Sequence, residues 1–272
     1  MCRLFGMLSA RDAEGTKWLV DDRCSLLAQS DADPKRLQKD GWGVAHFSNG
    51  SFRLLQSTGS VFRERERFRE AARSAFGNAV LAHIRKASNP NKLPESVLGK
   101  PENIQPFFAE GWAFAHNGTV YDKDNEKNKG SIAKGLGAYR KCIGGKNDSE
   151  VLFWHFIKAA SETRDIPSAL RTMERRIVKY GKNGKPYTAL NVIVTNGRAM
   201  YAYCKFTGQP AKFPRSICLG KQGYYTMCYR EESGRVVAMS EMSNAGRGWK
   251  IMENGEILTV NVWNGKLETL VI

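Results

Sequence analysis

Three observations predict an α+β fold for this chain. Its apolar period switches between 2 and 3.6 without forming repeated βαβ units. Asn49-Gly50, Asn196-Gly197 and Asn264-Gly265 break the apolar runs at hairpin-like turns. The 272 residues are 42% hydrophobic and 25% charged, an ordinary globular composition that excludes global disorder. A single domain over residues 1–272 is the simplest partition, because no repeat, low-complexity tract or Pro/Ser-rich linker interrupts it.

The elements follow in order. Arg3 to Ser9 is apolar enough for a buried strand. Thr16 to Gln29 has helical spacing, with Trp18, Leu19, Leu26 and Leu27 near one face. Gly43–Phe47 and Phe52–Gln56 flank Asn49-Gly50 as a hairpin. A charged amphipathic helix is expected over Phe62–Phe76, then a strand over Ala79–Ile84. Asn89 to Asn103 reads as a long loop, Trp112–His116 as a strand, and Tyr121 to Gly145 as polar, glycine-rich and aperiodic. Helices are expected over Asp148–Ala160 and Ile166–Lys179. The remainder is β-rich, with strands over Ala189–Thr195, Ala199–Tyr203, Tyr224–Tyr229, Val236–Met239, Ile257–Val262 and Leu267–Ile272.

The formal net charge of +15 and the pI near 9.6 are the compositional oddity. They suggest an anionic partner: nucleic acid, a membrane surface, or a small carboxylate or phosphate. The excess is spread over both halves, so it is not a basic tail. No apolar run is long enough to span a membrane, and no signal core opens the chain. The cysteines at 2, 24, 142, 204, 218 and 228 show neither CxxC nor zinc spacing and read as reduced thiols. A cytoplasmic protein without metal or cofactor is expected.

Cys2 is the most informative residue. If Met1 is removed, Cys2 carries a thiol and a free α-amine, whose pKa of about 7.7–8.0 leaves much of it neutral. Such an amine can take the thiol proton without a histidine. Taken alone, Cys2 reads sooner as an incidental residue at a frayed end, although a strand beginning at once would hold it in the fold. Asn117-Gly118 reads as a turn or as a pair of oxyanion donors. Arg85, ending an apolar strand, suits a structural ion pair or a fork onto a substrate carboxylate. Asp148 suits a helix N-cap or a substrate ammonium. His83 and His116 read as supporting histidines, since nothing requires them near Cys2. Gly41-Trp42-Gly43 lacks the Lys-Ser/Thr of a phosphate loop.

In order, Met1-Cys-Arg-Leu-Phe-Gly6, Asp40-Gly-Trp-Gly-Val44, Ala82-His-Ile-Arg-Lys-Ala-Ser88, Glu102-Asn-Ile-Gln-Pro-Phe107, Ala115-His-Asn-Gly118 and Asn147-Asp-Ser-Glu150 resemble the class II glutamine amidotransferases. The likeness is to their stand-alone members, which include γ-glutamyl amidohydrolases. The motifs lie within residues 2–160, and Ala238-Met-Ser-Glu241 with Trp249 resembles a later segment in the β-rich completion, 186–272. The resemblance implies an N-terminal-nucleophile hydrolase with a four-layer αββα sandwich. It implies that Cys2 attacks the glutamine side-chain amide, forms a γ-glutamyl thioester, and uses its own amine as base and then acid. By the same likeness Asn117 and the Gly118 N–H hold the oxyanion. Arg85 binds the α-carboxylate with Ser88 near it, Asp148 binds the α-ammonium, and Gly41-Trp42 form a pocket wall. Relatives usually carry His where this chain has Gln105, and the 89–103 loop looks longer than theirs.

Three functions are therefore weighed. The first is a glutamine amidohydrolase releasing glutamate and ammonia, with any synthase or acidic partner protein supplied in trans. The second is a γ-glutamyl amidohydrolase acting on a peptide-like or thiol metabolite. The third is a basic module binding a partner or nucleic acid on an inactive scaffold. Charge alone supports the last, since no nucleic-acid-binding motif is present.

Overall fold

The structure is a computed structural model and describes residues 2–89, 92–123, 130–208, 222–232 and 234–272. Its elements in chain order are β1 (Arg3–Glu14), α1 (Leu26–Gln29), β2 (Trp42–Ser48), β3 (Ser51–Ser57), α2 (Arg65–Ser74), β4 (Phe76–Ile84), α3 (Glu95–Leu98), β5 (Phe107–Ala109) and β6 (Trp112–Asn117). After these come α4 (Asp148–Glu162), α5 (Ile166–Tyr180), β7 (Asn191–Thr195), β8 (Ala199–Tyr203), β9 (Cys228–Glu232), β10 (Arg235–Met239), β11 (Trp249–Ile251), β12 (Ile257–Trp263) and β13 (Lys266–Val271).

The strands form two antiparallel sheets, ordered β11-β9-β10-β1-β4-β2-β3 and β13-β12-β8-β7-β6-β5. The period of 2 then sorts the residues of β1 and β4 between two cores. From β1, Leu4 and Leu8 face the second sheet, while Phe5 and Met7 face the helical side. From β4, Ala79 and Leu81 point between the sheets, and Val80, Ala82 and Ile84 point away. The outer core of the first sheet is closed by Trp18, Leu19, Leu26, Leu27 and Phe68. The outer core of the second is closed by α4 and α5, where Phe114 meets Phe153 and Phe156 with ring centroids 5.4 and 5.8 Å apart. The result is the four-layer αββα sandwich.

Gly6 sets the close approach of the sheets. A Cβ there would lie 2.6 Å from Ile193 Cγ2 and 3.0 Å from Met200 Sδ. The Asn49-Gly50 hairpin is as expected, with both turn residues at positive φ and Ser48 opposite Ser51.

Several local expectations are corrected by tertiary contacts. The Thr16–Gln29 segment is not one helix but a π-type turn over Lys17–Asp21 followed by α1. Between them Asp22 is drawn off to accept from Ser243 and Asn244 Nδ2, and the Cys24 N–H donates to Ser243 O at 2.8 Å. The strand expected from Tyr224 begins only at Cys228, because Gln222 and Thr226 tie residues 222–227 into a turn. The three-residue strands β5 and β11 are too short to show a period. Cys2, Cys142, Cys204 and Cys228 are free thiols, but Cys24 is disulfide-bonded, which spacing alone does not reveal. Cys218 lies outside the described residues. No helix among the described residues is long and apolar enough to cross a membrane.

Gly6→Val places methyl groups against Ile193 and Met200, both fully buried. A loss of about 1–3 kcal/mol of stability is expected in urea unfolding, whereas Gly50→Ala, whose Cβ meets nothing within 4 Å, costs only its backbone strain.

Candidate active site

β1 is the central strand on which the site is built. It pairs with β10 on one side and β4 on the other, so Cys2, immediately before it, is held rather than frayed. The thiol is buried; Sγ–H donates to Lys86 O and Sγ accepts from Lys86 N, both at 3.3 Å. Lys86 lies just past β4, where the chain leaves the sheet. There the Asp40-Gly41 segment continues the ladder: Arg85 N donates to Gly41 O at 2.8 Å and Asp40 N to Arg85 O at 3.2 Å. The Asp40 carboxylate accepts from Ala87 N at 2.8 Å, fixing the Lys86–Ser88 wall.

A cleft of about 240 Å³ opens over Cys2. It is lined by Lys86, Ala87 and Ser88 on one side and by Gly118, Thr119, Tyr121, Thr188, Tyr224 and Tyr225. Cys2, Ser88 and Gly118 are thus brought together. Gly118 has φ +148, and a Cβ there would meet Ala189 O at 2.0 Å, so only glycine fits. Asn117 is fully buried opposite Asn191, yet neither its Nδ2 nor its Oδ1 has a hydrogen-bond partner among the described residues. An unsatisfied buried amide costs about 1–3 kcal/mol, and such groups mark places where a ligand completes the set.

Arg85 is buried and makes no ion pair among the described residues; its Nη1 donates to Asp40 O at 3.2 Å and Leu98 O at 2.9 Å. The structural ion pair considered for it does not form. Asp148 is the first residue of α4 but not its cap. Asn147 caps the helix, its Oδ1 accepting from Glu150 N at 2.7 Å. The Asn147-x-x-Glu150 spacing is a capping-box signature, and it held that information. Relieved of capping, Asp148 accepts from Val120 N at 2.6 Å and faces a second cavity of about 540 Å³. Gly41 and Trp42 do not line the cleft. The Trp42 ring packs on Phe68 in the outer core and donates to Glu64 at 2.8 Å, as its alternation with Val44 along β2 dictates. Gly41 O accepts from Arg85 N, just before that wall.

Neither histidine pairs with the thiol. His116 Nε2 donates to Ala189 O at 3.1 Å, which leaves Nδ1 to accept from Ser149 at 2.9 Å. Gln105 is structural, its Oε1 accepting the His116 N–H at 2.6 Å, beyond the reach of short β5. Tyr121, Thr188, Tyr224 and Tyr225 were not legible as site residues, since no short motif holds them. No group of three or more His, Cys, Asp or Glu among the described residues is arranged to hold a metal.

Burial pushes the Cys2 thiol above its ordinary range; the Lys86 N–H and the Arg85 charge oppose this, and the Asp148 charge adds to it. Burial also raises the Asp148 carboxyl, with His116 and the Val120 N–H opposing. His83 is driven down to about 3, first by burial and then by the Arg85 charge.

The fold is that of the N-terminal-nucleophile hydrolases, and the chain matches the family model "Glutamine amidotransferases class-II" over residues 1–270. It belongs to that family, and is therefore an enzyme of the class that hydrolyses or transfers the glutamine amide. Among solved structures it is similar to a class-II domain protein from Silicibacter pomeroyi, with TM-score 0.64, 18% identity and 99% and 98% of the two chains covered. It is also similar to glutamine phosphoribosylpyrophosphate amidotransferase from B. subtilis, with TM-score 0.59 and 17% identity, covering 99% of this chain and 49% of that one. The chain thus spans about half of the latter protein. No curated protein matches it.

The His83 imidazole is held neutral in the fold, so an unfolded chain binds an extra proton below the ordinary value of about 6.5. Its contribution is complete above pH 6.5 and is lost as pH falls toward 3. Thermal or urea unfolding at pH 5 is expected to show about 2 kcal/mol less stability from this group than at pH 7.5, and His83→Leu is expected to flatten that slope.

Proposed function

We propose that the chain hydrolyses the side-chain amide of glutamine, with Cys2 as N-terminal nucleophile once Met1 has been removed. The observation that carries this reading is the shared cleft, where the Cys2 thiol and Gly118 stand together beside the unpartnered Asn117 amide.

The steps follow from the chemistry of each group. The thiol, kept protonated by burial, needs a base, and the α-amine of the same residue supplies it. Sγ attacks the amide carbon while the amine takes the thiol proton. Asn117 Nδ2–H and Gly118 N–H donate to the oxyanion. The ammonium returns its proton to the leaving nitrogen, ammonia departs, and a γ-glutamyl thioester remains. Water then attacks this thioester, the amine again acting as base, and glutamate is released. Arg85, buried without an acidic partner among the described residues, would receive the α-carboxylate with Ser88 near it, and Asp148 the α-ammonium. Gly41 and Trp42 would support the wall from behind.

A second reading is favoured by the aromatic lining of the cleft. Ammonia needs no wall of Tyr121, Tyr224 and Tyr225, whereas a γ-glutamyl amide with a larger leaving amine can use one. An ammonia acceptor would come from another protein, and the exposed Arg171, Arg175 and Lys179 of α5 offer an acidic partner a basic face in the cytoplasm.

Protein with a mass-verified Cys2 terminus is expected to release glutamate from glutamine or from one of a panel of γ-glutamyl amides. Cys2→Ala abolishes that release, and Asn117→Ala lowers kcat by roughly 10²–10³-fold. Retained Met1 together with no turnover of any compound sinks the enzymatic reading. The rate is expected to rise with pH as the α-amine loses its proton, with a midpoint of about 7.7–8.0. A rate unchanged between pH 6 and 9 would contradict the amine as base.

A further inference from the structure

The far wall of the Cys2 cleft is built of aromatic rings that carry positive charge. Tyr224 and Tyr225 meet edge to face with ring centroids 5.0 Å apart, and Phe206 backs Tyr225 at 6.4 Å. The Arg36 guanidinium lies 5.6 Å from the Tyr224 centroid, and Lys185 Nζ lies 6.0 Å from that of Tyr121. Arg36 also pairs with Asp33 at 2.5 Å. Neither Lys185 nor Lys86 has an ion pair among the described residues. Among those residues, Lys86 is the only charged one that lines the cleft, and no carboxylate does. Ammonia, the leaving group from glutamine, engages neither rings nor cations, and a cationic leaving amine would be repelled. An amine that bears both a ring and a carboxylate engages both features, the ring by offset or edge-to-face contact and the anion by charge.

We propose that the cleft selects γ-glutamyl amides whose leaving amine is an aromatic amino acid, with Tyr224 and Tyr225 holding its ring and Lys86 and Lys185 its carboxylate. This substrate class rests on the reading of Cys2 as the nucleophile of an amide hydrolase. The bond from Sγ to the γ-carbonyl carbon forms, and the bond from that carbon to the amino-acid nitrogen breaks. The terminal ammonium gives this nitrogen its proton, so the amino acid departs with its carboxylate unchanged. Water then cleaves the thioester, which releases glutamate and restores the thiol.

The test compares kcat/KM for glutamine, γ-glutamylalanine, γ-glutamylphenethylamide and γ-glutamylphenylalanine, on protein with a verified Cys2 terminus. γ-Glutamylphenylalanine is expected to be the best of the four. Removing its ring, as in γ-glutamylalanine, lowers kcat/KM about 3–10-fold. Removing its carboxylate, as in γ-glutamylphenethylamide, lowers it about 2–5-fold, and only this second difference shrinks at about 0.5 M salt. Tyr225→Leu is expected to narrow the phenylalanine-to-alanine ratio. Lys185→Met, at an exposed position, is expected to narrow the phenylalanine-to-phenethylamide ratio. Ratios within one variant are unmoved by a general loss of active protein. Any other compound matching γ-glutamylphenylalanine, or ratios unchanged in both variants, overturns the substrate class and leaves the amide hydrolase standing. No turnover of any of the four overturns the nucleophile, and the substrate class with it.

Discussion

The hydrogen bonding of β1 on both edges is the constraint on which the rest depends. A strand at the start of a chain is ordinarily free to fray, and a nucleophile on it would sample many positions. Here β4 and β10 enclose it, Gly6 lets the second sheet approach within side-chain contact, and Lys86 grips the thiol from both its N–H and its C=O. Each of these contacts reduces the freedom of Cys2 before any substrate arrives. Preorganisation of this kind is where a fixed scaffold contributes most to catalysis.

Polar groups are also buried where the fold alone does not need them. Asn117 and His83 are buried and Asp148 is half-buried, and each is short of partners or displaced from its ordinary ionisation. Burial raises the thiol and carboxyl and depresses the imidazole. In such low-dielectric surroundings a hydrogen bond is electrostatically stronger than in water.

Most of the fold was legible because most of it is periodic. β8 matches its expected range, and the hairpin of β2 and β3 follows from Asn49-Gly50. The helices α4 and α5 extend only slightly past their apolar faces. What was not legible depends on distant partners. Asp22 breaks the first helix because Ser243 and Asn244 reach it, and Gln222 holds residues ahead of β9 out of the sheet. At the site, ordered motifs identified Cys2, Ser88, Gly118 and Asn117, which the fold places together or next to one another. The far wall, Tyr121, Thr188, Tyr224 and Tyr225, arises from three separate segments whose spacing carries no pattern. Trp42 shows the converse: its motif is recognisable, but the alternation of β2 turns its ring into the core.

The pairing of β1 with β10 joins Phe5 to Met239, and this separation has a consequence for how the molecule is made. During synthesis the first strand must wait for residues more than two hundred positions later before its second edge is covered. Contacts of such long range form slowly, since loop closure must precede their reward. The second edge of β1 therefore stays uncovered through most of translation and is enclosed only when β10 arrives. Until then that edge presents unpaired N–H and C=O groups, a template on which another chain can pair.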